Sequence, residues 1–186
     1  MNILMPVGSP RQEGNSFILA KEFKMQAEKR GHKCDIINLN EININSCEHC
    51  GYCAVKNKCK IKDDLTDILN KFNNYDTLIL VSPIYFFYLT SQTKIFLDRL
   101  YSVDKLNKDL GAILISGSDF FEGGSDLVVN SLQRVCSYCE MNWLGVIQKT
   151  TNDEVLPLNE IDKINISKLI DNIEFKDLNN SYFIQN

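Results

Sequence analysis

Apolar residues along this chain follow two alternating rhythms. Short runs with little polar interruption, such as Ile3-Leu4-Met5, Thr77 to Val81 and Gly111 to Gly117, have the length and composition of strands buried on both faces. Between them, apolar residues recur every three or four positions. Leu19, Phe23 and Ala27 mark such a stripe in a helix predicted over about Ser16 to Arg30, ended by Gly31. Leu65, Ile68, Leu69 and Phe72 keep an i, i+3, i+4, i+7 spacing behind Asp63 or Asp64, either of which can cap the helix. Cys34 to Leu39 and Trp143 to Gln148 supply two further strands. Helical spacing returns over Thr90 to Tyr101, over Ser125 to Glu140, and at Ile166, Leu169, Ile170 and Ile173.

Strands alternating with helices across short loops predict an α/β fold, a doubly wound five-stranded parallel sheet with helices on both faces. Ligands of such sheets bind beyond the carboxyl ends of the strands, near the point where strand order reverses. Ser82-Pro83 is expected to stop the third strand. Residues 1–176 are expected to form one domain, with an insertion at 40–62 and a polar tail at 177–186.

Composition narrows the function classes. A net charge of −4 argues against a nucleic-acid partner, which needs a basic face. No segment approaches the roughly 20 apolar residues of a membrane span. The run from Asn2 to Val7 is too short for an export signal and lacks a basic flank. A cytoplasmic, reducing location is therefore expected. There, seven cysteines point to metal or redox work more than to disulfides.

Two segments carry chemistry. The first, Gly8-Ser9-Pro10-Arg11-Gln12-Glu13-Gly14-Asn15-Ser16, joins the first strand to the first helix. The helix start offers free N–H groups and the positive end of its dipole, Ser9, Asn15 and Ser16 offer donors, and Arg11 adds charge. No Lys-Ser/Thr follows the last glycine and no G-x-G-x-x-G is present, so a terminal phosphate monoester suits the loop better than a pyrophosphate. The alternative is an ordinary strand-to-helix turn with a capping side chain.

The second segment is Cys47-x2-Cys50-x2-Cys53-x5-Cys59, four cysteines within thirteen residues. This compact stepping suits a [4Fe–4S] cluster, and Lys56, Lys58, Lys60 and Lys62 nearby would ease thiolate formation. Structural zinc, with His49 as an added donor, and disulfides formed on exposure to oxygen are the alternatives. Cys136 and Cys139 read as a helical core pair, Cys34 as a buried strand residue, and neither His32 nor His49 belongs to an acid–base constellation.

Three blocks give the chain a family likeness: Gly8-Ser9-Pro10-Arg11 with Asn15-Ser16; the four-cysteine loop ending Lys60-Ile61-Lys62-Asp63-Asp64; and Ser82-Pro83-Ile84-Tyr85 with Lys94 and Asp98-Arg99. The sequence resembles the NADPH-dependent FMN reductase-like flavoproteins and, among them, the iron–sulfur flavoproteins, over about residues 1 to 150. The resemblance implies a flavodoxin-like fold with strand order 2-1-3-4-5 and non-covalent FMN. It also implies a homodimer or homotetramer with the cofactor near a subunit boundary. Ser9, Arg11, Asn15 and Ser16 would take the FMN phosphate. Pro83, Ile84, Tyr85 and Phe86 would lie beside the ring and ribityl chain, while Gly117, Ser118, Gly123 and Gly124 close the other rim. Asp119 to Glu122 departs from a simple glycine turn, Phe87 and Tyr88 suit core or interface packing, and Asp98-Arg99 reads as a structural pair. Some members of the family keep only part of the cysteine set and bind flavin alone.

The function expected is an electron relay. A ferredoxin-like carrier would feed a cluster on Cys47, Cys50, Cys53 and Cys59, and FMN would reduce a small acceptor, the chemistry residing in the cofactors and not in a catalytic side chain. The alternatives are a flavin-only NAD(P)H oxidoreductase and a zinc-stabilised binding module. The cysteine loop follows the second strand, so it is expected at the cofactor edge of the sheet.

Overall fold

In the computed structural model, which describes residues 1–103 and 106–175, each inner strand sorts its side chains by alternate position. β1 (Asn2–Val7) sends Ile3, Met5 and Val7 to one face and Leu4 to the other. The first strand-and-helix unit continues with α1 (Asn15–Lys29) and β2 (Lys33–Asn38). The 40–62 insertion contains a short helix, α2 (Tyr52–Lys56), and leads into α3 (Asp64–Asn70). β3 (Thr77–Tyr85) then divides Ile79 and Val81 from Leu78 and Leu80. After β4 (Tyr88–Leu89) and α4 (Ser91–Leu100), β5 (Asp109–Ser116) divides Ile113 and Ile115 from Ala112 and Leu114. α5 (Ser125–Cys139), β6 (Asn142–Thr150) and α6 (Glu160–Phe175) complete the described chain. The tail at 177–186 lies outside the described residues.

Strands β2, β1, β3, β5 and β6 pair in parallel in that order. Counted without the two-residue β4, this is the 2-1-3-4-5 order of a flavodoxin-like fold. α1 and α6 cover the Ile/Val face through Phe23, Leu169 and Ile170, and α3, α4 and α5 cover the Leu face through Leu65, Phe96 and Leu132. Burial of each such side chain stabilises by roughly 1.5–3 kcal/mol, so these two layers dominate the stability of the sheet. No helix among the described residues is long and apolar enough to cross a membrane.

β3 departs from expectation. It continues through Ser82 and Pro83 to Tyr85, with Pro83 in register beside Ile115. The Val81 carbonyl accepts from Gly8 N at 2.9 Å, so residues 81 and 83 turn their backbone groups toward β1. β1 ends at Val7, and beyond it Pro83 has no ladder bond to lose. The strand then reverses at Phe86 and Phe87, which have φ of 49° and 67°, and pairs antiparallel with β4. Two consecutive positive φ values match the tight hairpin turn that follows strand twist.

The cysteine loop also departs. It leaves β2 at the carboxyl edge of the sheet, but its four cysteines pack against the last turn of α4, beside Asp98, Arg99 and Ser102. The first turn of α4 instead carries Thr90 and Thr93 against Ser82 and Gly8. Ten helical residues, about 15 Å of rise, separate the two ends.

Candidate functional site

At the carboxyl edge, β1, β3, β5 and β6 end around a cleft of about 160 Å³. Its walls include Ser9, Arg11, Asn15 and Ser16 from the first loop, Pro83, Ile84 and Tyr85 from β3, and Gly117 after β5. The family resemblance assigns all eight of these to FMN. Gly14 starts α1 without a side-chain cap, so the N–H groups of Asn15 and Ser16 face the loop with no intrahelical acceptor. Ser9 Oγ accepts from Arg11 N at 3.2 Å, which folds the loop tightly and leaves the Arg11 side chain exposed at the cleft. The first loop thus presents a cation and a helix N-terminus to an anion.

The fourth wall was not foreseen. Thr151, Asp153, Glu154 and Val155, from the loop between β6 and α6, line the cleft. Asn15 fastens this loop, its Nδ2 donating to Glu154 O at 2.7 Å and its Oδ1 accepting from Leu156 N at 2.9 Å. The Asn15 amide is therefore committed to the wall, leaving its backbone to face a ligand. A second fastening is a buried ion pair, Lys149 Nζ to Asp162 Oδ2 at 2.6 Å. A Cβ on Gly117 would lie 2.6 Å from Asp153 Oδ1, so a larger residue would have to displace the Asp153 side chain from its place in the wall. The available signal was position: Thr150-Thr151-Asn152-Asp153 is a polar turn directly after the last strand, at the edge where ligands bind.

Four other assigned residues stand outside the cleft lining. Phe86 is 95% exposed at the tip of the β3–β4 hairpin. Gly123 and Gly124 serve packing: a Cβ on Gly123 would meet Ser116 Oγ at 1.9 Å, and one on Gly124 would meet Phe87 Cα at 2.8 Å. Ser118 is exposed, its carbonyl accepting from Thr150 Oγ1 at 3.2 Å. The 117–124 loop is built on Asp119, whose Oδ1 accepts from Phe121 N and Glu122 N at 3.0 and 2.8 Å.

All four loop cysteines are free thiols and line a second cavity of about 210 Å³. Among the described residues, no three Cys, His, Asp or Glu side chains close on a site for a single ion. α2 buries none of its side chains, so the loop is held at its stems, by Ile42 and Ile44 against the core and by polar bonds. Asp63 caps α3 by accepting from Thr66 N at 2.9 Å, and it also accepts from Asn45 N at 2.9 Å. Its carboxylate meets Arg99, whose terminal nitrogens lie 2.9 and 3.1 Å away, and both side chains are essentially inaccessible to water. Arg99 also donates to Asn45 O at 2.7 Å and Thr66 Oγ1 at 2.6 Å. Burial opposes the Asp63 charge, but Arg99 and the N–H groups of Asn45 and Thr66 outweigh it and hold the carboxyl far below the usual range. The expected pair with Asp98 does not form; Asp98 bonds Lys94 instead.

Known proteins carry similar features. Residues 1–151 match the family described as NADPH-dependent FMN reductase. An iron–sulfur flavoprotein of Methanocaldococcus jannaschii is 32% identical over 136 residues, 71% of this chain and 69% of that protein. One from Archaeoglobus fulgidus is 28% identical over 145 residues, 75% and 71% of the respective chains. Among solved structures, an NAD(P)H:quinone oxidoreductase from Methanothermobacter marburgensis superposes with a TM-score of 0.64 at 12% identity, over 94% of this chain and 97% of that one, a likeness of fold. With the first loop and the β1, β3 and β5 walls of the cleft falling inside the matched region, the chain belongs to the NADPH-dependent FMN reductase family, in its iron–sulfur flavoprotein branch, and is a flavin-dependent oxidoreductase.

Proposed function

We propose that the chain holds FMN in the carboxyl-edge cleft and a [4Fe–4S] cluster on Cys47, Cys50, Cys53 and Cys59, and that it passes electrons from a ferredoxin-like carrier to a small acceptor such as oxygen, peroxide or a quinone. The observation that carries the reading is the convergence of four free thiols on one cavity, in a chain that also has a flavin cleft. The cluster would supply single-electron steps and the flavin two-electron reduction. The chain's own residues bind and orient. Arg11, Ser9, Ser16 and the start of α1 suit the phosphate. Gly117 leaves room for a cofactor beside Asp153, and Tyr85, half exposed at the cleft mouth, can lie along a flat ring.

The ligand set fits a cluster on an observation at the site: a buried polar atom beside the cavity, Arg99 Nε, has no partner among the described residues. Exposed Tyr85, Phe86, Phe87 and Phe121 around the cleft edge support a homodimer or homotetramer, since a second copy would cover them. Anaerobic purification with iron, sulfide and flavin analysis tests the reading. About four iron, four sulfide and one FMN per chain are expected; one zinc and no iron would reject the cluster. The family description favours a second donor, NAD(P)H, acting directly on the flavin. Rapid bleaching of iron-free yellow protein by NADPH would establish that route.

A further inference from the structure

We propose that Arg99 is a positioning residue for the cysteine loop, its Nε–H donating a hydrogen bond to Cys59 Sγ and thereby raising the reduction potential of a cluster held there. This rests on the cluster reading above. A guanidinium has five N–H donors in a fixed planar fork. Four are committed: Asn45 O and Asp63 Oδ2 take those of one terminal nitrogen, and Asp63 Oδ1 and Thr66 Oγ1 take those of the other. The fifth, Nε–H, is buried and has no partner among the described residues.

Cys59 is the cysteine placed to fill that gap, since it also borders a smaller cavity with Thr66 and Ser102, both hydrogen-bonded to Arg99. Arg99 and Cys59 line the same cavity. The Asp63–Arg99 pair locks the fork in orientation, so Nε cannot rotate away to water. A neutral thiol is a weak acceptor, while a cluster-ligating thiolate is a strong one, so the unsatisfied donor acquires its partner when the cluster is present. Hydrogen bonds to ligand sulfurs favour the reduced, more negative cluster and raise its potential. The lysines of the loop cannot do this as well. Lys60, for example, lies in water and pairs with Glu48 at 3.2 Å.

The test uses anaerobically reconstituted full-length protein labelled with 15N-arginine, the wild type beside Arg99→Lys and the surface control Lys21→Gln, exposed on α1. Lysine keeps a positive charge near Asp63 but has no Nε–H fork. Pulsed EPR of the reduced wild-type cluster should show a 15N coupling, since no other arginine lines the cavity. Arg99→Lys should lose that coupling. At a fixed potential its reduced-to-oxidised ratio should fall about tenfold, a 59 mV drop for one electron. The FMN midpoint should not move, and Lys21→Gln should match the wild type. An iron-replete wild type without the 15N coupling overturns the proposal, as does an iron-replete Arg99→Lys with an unchanged midpoint. If Arg99→Lys takes up no iron, the wild-type coupling alone decides. A wild type that takes up no iron rejects the cluster reading and this inference with it.

Discussion

The carboxyl-edge cleft and the cysteine cavity stand at opposite ends of α4 and are held open by different forces. The cleft is made from the ends of strands whose bodies are buried: all eight residues of β5 and the first seven of β3 are in the core. Its shape is a by-product of sheet packing and does not need a ligand to exist. The cysteine cavity lies under a loop whose one helix buries nothing. There the order comes from Asp63 and Arg99, which draw residue 45, the start of α3 and the end of α4 into one buried polar knot. A hydrophobic frame tolerates loss of single contacts, whereas a buried ion pair fails badly when one partner is removed.

The contrast can be attacked first through the thiols, where the expected difference is largest. Burial pushes Cys34 and Cys136, both in the frame, up to about 12. At pH 8 their thiolate fraction, and with it their alkylation rate in the folded chain, should be about a thousandfold below that of an ordinary thiol near 8.5. Cys47 and Cys50 are exposed and should react freely in metal-free protein. Iodoacetamide labelling read by mass spectrometry checks this; comparable rates at all these positions would erase the distinction. The same shifts fix a sign for stability. Between about pH 8.5 and 12 the unfolded thiols ionise before the folded ones, so each buried cysteine makes stability fall as pH rises.

Arg99→Met strikes the knot directly. It strands the Asp63 carboxylate in the interior, and a loss of about 3–5 kcal/mol in urea denaturation is expected. Arg99→Met with Asp63→Asn removes both charges and should recover most of it, because asparagine still caps α3. FMN affinity should stay at the wild-type value in the double variant, since the two cavities share no lining residue. A parallel loss of flavin would mean that α4 couples the two ends.

At the cleft, Arg11→Ala would remove the charge-assisted bond proposed for the FMN phosphate and leave the strand ends untouched. Affinity for FMN, followed by quenching of its fluorescence, should weaken by about 1.5–3 kcal/mol, or roughly ten- to a hundredfold. An unchanged affinity would move the phosphate away from the first loop.

The sheet was legible because burial on both faces leaves long apolar runs, and the first loop because a strand-to-helix turn has to be local in sequence. Eight of the twelve residues assigned to the flavin line the cleft, all from the ends of β1, β3 and β5 or the start of α1. What escaped depended on partners distant in sequence. Asn15 bonds residues 154 and 156, and Arg99 bonds residues 45, 63 and 66; no spacing rule predicts such pairings. Asp98-Arg99 was singled out, but its function could not be read from two adjacent charges pointing to different neighbours. Pro83 misled for a related reason, since its missing N–H matters only if a neighbouring strand is there to receive it.

Phe86 is the smallest and most discriminating probe of that legibility. The family resemblance put it beside the flavin ring, whereas the fold leaves it almost wholly exposed at a turn with φ of 49°. A bulky residue in that conformation is strained by roughly 1–2 kcal/mol, and asparagine adopts it more readily. Phe86→Asn should therefore stabilise the chain by about 0.5–1 kcal/mol, within reach of careful urea titration, as part of the strain is relieved and little burial is lost. Its FMN affinity should equal that of the wild type, because the side chain takes no part in the cleft wall. A weaker affinity together with raised stability would reinstate Phe86 over the ring, and would show that the hairpin tip folds inward once the flavin arrives.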